Sequence, residues 1–289
     1  MRRQQILGSG IILGTILVLS LVGAGVLQHR TSAQGPGFVL LLTDVAWLVV
    51  YGFVGIIVWK QTSPSAITAA IVGAQIGLVV GAVGIANHLI EAFVATRPFA
   101  LVISPVLLTL ALLGGAGAAA WERTGSLVQA VISGVCSAIV ATLIILCFAI
   151  CFNLLFAANV DGRLREAFAA SGMIDQAGFR VRNILEASSE ILVRMPLFAI
   201  CLALGGAVIH AWMSRESRRA LVLAARLMAP FMFALGAAAL WHAEAIERAA
   251  RPPFVLLGVL LTAVSLCAAY PIWSAFHGST GRSGSAGNS

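Results

Sequence analysis

Charge is the scarcest commodity in this chain: 289 residues carry 18 Lys and Arg and 11 Asp and Glu, 10% of the total. Soluble domains hold about 25%. Hydrophobic residues make up 60% of the chain and mean hydropathy is +0.99, which excludes a water-soluble globule, since no fold of this length hides so much apolar surface. Catalytic signatures are missing too. There is no phosphate-binding glycine loop with lysine, no His-Glu-x-x-His pair and no nucleophile elbow. The Gly8-Ser9-Gly10 triplet opens the first apolar run with no histidine to partner the serine. The expectation is a non-enzyme with no cofactor and no bound metal. The loops are too short for a nucleotide-binding domain, so ATP-driven work would need a partner.

Cysteine is sparse and badly placed for crosslinking. All five, Cys136, Cys147, Cys151, Cys201 and Cys267, fall inside apolar runs, which argues against an extracytoplasmic disulfide. Cys136, Cys147 and Cys151 share a helical stripe and are read as packing residues rather than metal ligands. The net charge of +7 comes from arginines scattered singly or in pairs, so no basic face exists for nucleic acid.

What the chain does have is a series of nearly uncharged runs, each close to the roughly 20 residues that cross about 30 Å of hydrocarbon as a helix. The runs are Ile6–Leu27, Gly37–Trp59, Ala66–Ile90, Pro98–Trp121, Ser126–Ala158, Met195–Met213, Ala220–His242 and Pro253–Phe276. They predict an all-α polytopic transmembrane bundle of about eight spans, one membrane domain over residues 1–276 with the lipid bilayer as its first partner. Residues 277–289 are Gly/Ser-rich and are expected to form a disordered tail. The fifth run is too long for one straight crossing and is expected to tilt or to project beyond the bilayer. The first run exceeds a signal-peptide core and lacks a cleavage site, so it is read as an uncleaved first helix. With Arg2 and Arg3 in the cytoplasm both termini lie there, in a plasma (inner) membrane. The arginine count is nearly balanced across the two sides and leaves the inverted orientation open.

An internal echo links "WKQTSPSAITAAIVGAQIGLVVG" from Trp59 to "WERTGSLVQAVISGVCSAIVATL" from Trp121, and suggests a hairpin unit used twice in one orientation, as in many transporters. Within the third run Gly73, Gly77 and Gly81 recur every fourth residue and predict a central packing helix.

One long polar interval interrupts the apolar pattern. Residues 159–194 predict a short helix from Asp161 to a glycine stop at Ser171-Gly172, then a second helix capped by Asp175. In that second helix Val181, Leu185, Ser188, Leu192 and Met195 form an apolar stripe, and Arg182, Glu186, Glu190 and Arg194 line another face. This segment is expected to lie outside the hydrocarbon, along the membrane surface or capping the bundle, and to end where Pro196 leads into the sixth span.

Ionisable groups inside spans are functional candidates by default. Arg226 can snorkel to the headgroups, whereas Asp44 is too short to escape. Asp44 and Arg226 enter from opposite surfaces and should differ in depth by about 12 Å, so they are not expected to pair. Asn87, His88, Glu91, Asn153 and His242 lie near the depth of Asp44, and if they converge they form an outer vestibule for a cation or a proton relay. Asp44, His88, Glu91 and Asn153 are therefore the ligand or ion candidates of a transporter-like or permease component. The rival expectation is a membrane scaffold that docks a protein partner, or a second copy of itself, through Arg182, Glu186 and Glu190.

Overall fold

The computed structural model describes residues 3–93 and 99–213, all within one unit, Met1–Ser214. The seventh and eighth predicted spans, Arg226, His242 and the tail lie outside the described residues. Every regular element among them is helical: α1 (Arg3–Gln28), a 3₁₀ turn (Arg30–Ala33), α2 (Pro36–Lys60), α3 (Pro64–Phe93), α4 (Phe99–Thr124), α5 (Leu127–Leu155), α6 (Ala157–Ser171) and α7 (Gln176–Trp212). Six of these helices, α1 to α5 and α7, are long and apolar enough to cross a membrane. Leu13, Leu17, Leu42, Val49 and Phe53 are exposed on the outer flanks of α1 and α2, an arrangement suited to lipid and costly in water.

Two differences from the sequence reading concern the polar interval. The overlong fifth run does not continue as one helix. It breaks at Phe156, whose φ of −115° and ψ of 37° leave the helical region, and α6 begins at the next residue. Phe156 stacks on Phe152 with ring centroids 4.8 Å apart and meets Phe93 edge-on at 5.8 Å, so aromatic packing holds the turn where neither Gly nor Pro marks it.

The second difference is at Pro196. No surface helix ends there; α7 runs through it as a single 37-residue helix, about 55 Å long at 1.5 Å per residue. The expected stripe is present, with Leu185, Ser188 and Leu192 each 1% exposed or less, but α1, α2 and α5 cover it rather than the membrane surface. A stripe of that kind needs an apolar partner, and three long helices offer more of it than one lipid interface.

The glycine stop and the acidic cap are both formed. Gly172 closes α6 at φ +68°, and the Asp175 carboxylate accepts the Ala177 N–H at 3.1 Å to start α7. Asp175 also accepts from Thr31 at 3.1 Å and lies 3.5 Å from His29, which ties the start of α7 to the α1–α2 turn. Arg180 reaches back to Asp161 at 2.7 Å and fastens α6 to α7.

The most enclosed helices are α3 and α5. They run parallel, with Gly73 against the Ser133 backbone, Gly77 against Ser137 and Gly81 against Ile144. Residues that the internal echo places in register, near Gly73 and Gly134, thus stand almost side by side. A Cβ added at Gly77 would sit 2.5 Å from the Ser137 carbonyl oxygen and 3.0 Å from Val140 Cβ. Helices without a solvent-driven force between them gain their contact energy from approach of this closeness. One core joins α1, α2, α5 and α7 and another joins α3, α4, α5 and α7, so α5 and α7 are common to both.

Two outcomes follow from this packing. Gly77→Ala should lower stability in detergent by about 1–3 kcal/mol through overpacking, whereas Gly115→Ala, where an added Cβ meets nothing within 4 Å, should leave it unchanged or raise it. Equal melting shifts for the two would overturn the glycine contact. For Asp175, the Gly178 backbone N–H above all, with Thr31, His29 and Ala177, holds the carboxyl below its ordinary value of 3.8. Its stabilising contribution is therefore complete above that value and lost as pH falls through the lower folded one. In acid melts Asp175→Ala should be less stable than the wild-type chain at neutral pH, with the gap closing below pH 3.8.

Candidate functional site

Two groups of polar side chains stand out in the bundle, on different sides of α7. The first is built by α2 and α7, which run parallel here. Asp44 lies about 12 Å along α2 from Pro36, at 1.5 Å per residue, and is 0% exposed. One carboxylate oxygen accepts the Ser188 hydroxyl, and the other, Oδ1, has no hydrogen-bond partner among the described residues. The Ser188 hydroxyl oxygen also lies 3.0 Å from the Leu185 carbonyl, to which Ser189 donates at 2.7 Å. No cationic side chain pairs with Asp44 among the described residues.

Two helical turns further along the same face of α2 lies Tyr51, 1% exposed, which donates to the Leu192 carbonyl at 3.0 Å. Pro196 explains this bond. Proline has no N–H, so the carbonyl four residues before it loses its helical donor, and Leu192 is that residue. An orphan carbonyl at membrane depth costs several kcal/mol. The tyrosine hydroxyl supplies the missing donor, and Thr142 of α5, itself buried, stands beside the phenol.

The second place is a cavity of about 260 Å³ at the end of the bundle where α3 and α5 finish. It is lined by His88 and Glu91 of α3, Phe152 and Asn153 of α5, Arg163 of α6 and Asn183 of α7, among others. Asn153 donates its amide to the Ala149 carbonyl at 2.7 Å, and Arg163 donates to the Ala92 carbonyl. His88 meets Phe148 and Phe152 edge-on, with centroids 5.9 and 5.2 Å away.

The single vestibule expected from the sequence is thus divided. The structure brings His88, Glu91 and Asn153 together, while Asp44 does not line their cavity and Asn87 does not either; His242 lies outside the described residues. The reason is the position of α7. Asn183 faces the cavity and Ser188 faces Asp44, and residues five apart are about 140° apart around a helix of 3.6 residues per turn. Depth, which sequence gives, does not give azimuth. Tyr51, Thr142, Arg163 and Asn183 were not singled out by sequence. Tyr51 had a signal, since a proline within a helix orphans a specific carbonyl and a tyrosine seven residues after a buried carboxylate shares its face.

On the flank of α7 the residues considered for docking are spread differently. Glu186 and Glu190 are exposed, Glu190 pairs with Arg194 at 3.3 Å, and Arg182 is half-buried with its guanidinium 3.9 Å from the Met173 sulfur. An exposed i,i+4 pair of this kind contributes at most about 0.5 kcal/mol. No protein-family model matches the chain, and no curated protein or solved structure matches it.

The tyrosine bond is testable by a double-mutant cycle. Tyr51→Phe should cost about 1–3 kcal/mol by leaving the Leu192 carbonyl unsatisfied. In a Pro196→Ala background, where residue 196 regains its own N–H, the same change should cost far less. Additive melting shifts would show that Tyr51 does not serve the proline-freed carbonyl.

Proposed function

We propose that this chain is an integral membrane protein of the plasma (inner) membrane, with about eight spans and both termini in the cytoplasm, acting as a transporter-like or permease component for a small solute or ion. The observation that carries the reading is Asp44, wholly buried in α2, which accepts the Ser188 hydroxyl at one oxygen, while the other has no hydrogen-bond partner and neither has a cationic one among the described residues. A bare carboxylate in such surroundings is too costly to keep. Its counterpart is a proton or a small cation that loads and leaves.

Loading alters the contact between α2 and α7 directly, because Ser188 sits on α7. Pro196 lies two turns beyond Ser188, where the ladder of α7 is already interrupted. Proline sites are where long helices bend. Exchange at Asp44 would therefore tilt one half of α7 against the other, with the Tyr51 hydroxyl holding or releasing the freed carbonyl. The chain itself is read as non-catalytic, needing no cofactor. The scaffold reading is weaker because the apolar side of the polar interval is spent on the bundle and its exposed Glu190 on Arg194.

The test is thermal stability of the purified full chain in detergent against sodium, potassium and lithium over a range of pH. A ligand that binds only the folded state raises its apparent stability with concentration. Wild type should shift with one cation or with pH, and Asp44→Asn should melt cooperatively but without that response. Identical profiles for the two proteins would make Asp44 a structural residue and sink the reading.

A further inference from the structure

We infer that the ion Asp44 takes up is the proton, and that Ser188 is the positioning residue that registers it, its hydroxyl hydrogen turning from the Asp44 carboxyl to the Leu185 carbonyl when the proton arrives. This rests on the permease reading and narrows its ion from a proton or a small cation to the proton alone.

Ser188 Oγ is within hydrogen-bond reach of two oxygens, Oδ2 of Asp44 and the Leu185 carbonyl 3.0 Å away. A hydroxyl has one hydrogen and two lone pairs, so it donates to one of these oxygens at a time, and a backbone carbonyl only accepts. With Asp44 ionised, Ser188 donates to Oδ2. A proton delivered by water adds to a lone pair of Oδ2 and forms one O–H bond as the bond to the delivering water breaks. That new O–H donates to Ser188 Oγ, and the serine hydrogen turns to Leu185 by rotation about its Cβ–Oγ bond. Release to water reverses each change, with no other covalent bond made or broken.

The second carboxyl oxygen distinguishes the two states. Oδ1 is buried and has no hydrogen-bond partner among the described residues. In an ionised carboxylate it shares the negative charge, and leaving it bare is costly; in a neutral acid it is a carbonyl oxygen, and the cost falls to that of an ordinary unpaired acceptor. The packed arrangement of α2 against α7 is therefore the loaded, neutral one. Loss of the proton puts charge on an oxygen that no described residue satisfies, so water has to enter between α2 and α7. A metal ion suits the place less well. Hard cations take about six oxygen ligands, whereas the groups acting on the Asp44 carboxyl are the hydroxyls of Ser188 and Ser189. The carbonyl freed by Pro196, that of Leu192, is already filled by Tyr51.

The elements packed on α2 bring no charge to Asp44. Between Gln4 and Gln28 α1 has no ionisable side chain; in the turn that follows, His29 lies against Asp175 and Arg30 is exposed. On α7, Arg180 is held by Asp161, Arg182 lies against Met173, Glu186 is exposed, Glu190 pairs with Arg194, and His210 is about 33 Å along the helix from Ser188 at 1.5 Å per residue. Lys60 ends α2, and Cys147, packed on the same core from α5, is a thiol.

The experiment is infrared spectroscopy of the purified full chain in detergent with its aspartates carboxyl-labelled with carbon-13, beside melting curves over a range of pH in sodium, potassium, lithium and choline chlorides of equal ionic strength. The aspartates of the chain are Asp44, Asp161 and Asp175, and the last two face basic side chains at the partly exposed ends of the bundle. A labelled carboxylic acid stretch at neutral pH therefore reports Asp44. It should be present in wild type, absent in Asp44→Asn, and lost from wild type on raising the pH over the interval in which the melting temperatures of the two proteins diverge. Ser188→Ala should move the stretch to higher frequency, as for an acid with one hydrogen bond fewer, and Ser188→Thr should leave it in place. Should Ser188→Ala fail to fold, Ser188→Cys, whose sulfur is a weak acceptor, moves the stretch the same way.

No labelled acid stretch at neutral pH, or one that stays in place in the Ala and Cys variants, would overturn the inference. Stabilisation by one alkali cation over choline, lost in Asp44→Asn, would overturn it while keeping the permease reading with a metal ion at Asp44. An acid stretch present at every pH, with neither pH nor cation separating the melting of wild type from that of Asp44→Asn, would overturn both, since nothing then loads or leaves.

Discussion

The bond from the Tyr51 hydroxyl to the Leu192 carbonyl is the joint on which the arrangement of α2, α5 and α7 depends. Pro196 removes a donor from the ladder of α7 in the middle of an apolar bundle, and the deficit must be met by another helix or by none. Meeting it from α2 fixes the register between the two helices. That register sets Ser188 opposite Asp44 and puts Leu185 and Leu192 in the core with Leu48 and Ile139. A single polar contact thereby positions an apolar interface, which dispersion forces alone would leave free to slide.

The same helix separates two kinds of polar chemistry. On the α2 side of α7 lies a carboxylate with hydroxyls and no cation beside it among the described residues. On the α6 side lies an open cavity with charges of both signs, two amides and an aromatic wall. Because α7 contributes a residue to each, Ser188 to one and Asn183 to the other, a rotation or bend of this helix alters both together. Coupling between two places needs an element common to both, and α7, its ladder interrupted at Pro196, is the helix that touches each of them.

Much of the helical frame was legible in the sequence, because crossing length and apolar continuity are one-dimensional properties. Spans one to four differ from the helices by a few residues at the ends. The glycine stop at Gly172 and the cap at Asp175 were legible for the same reason, since each acts within its own turn. What was not legible depended on neighbours. Phe156 ends α5 through rings contributed by Phe152 and Phe93, and no residue type at that position announces a break. Pro196 suggested a boundary by local rule, and the helix crosses it because a tyrosine on another helix supplies the missing hydrogen bond. Asp44 and His88 shared a depth on paper, and only the azimuth of α7 shows that they serve different spaces.

The parallel pairing of α3 with α5 bears on how the chain is made. Gly77 and the Ser137 backbone it rests on are roughly sixty residues apart, with all of α4 between them. At about 5–20 residues per second of synthesis, α3 spends several seconds with its glycine face uncovered before α5 exists to fill it. In that interval lipid or the insertion machinery must occupy the groove and then yield it. This close glycine contact is therefore one that cannot form in the order the ribosome delivers its halves, and insertion of α5 becomes the step at which the early helices commit to their final neighbours.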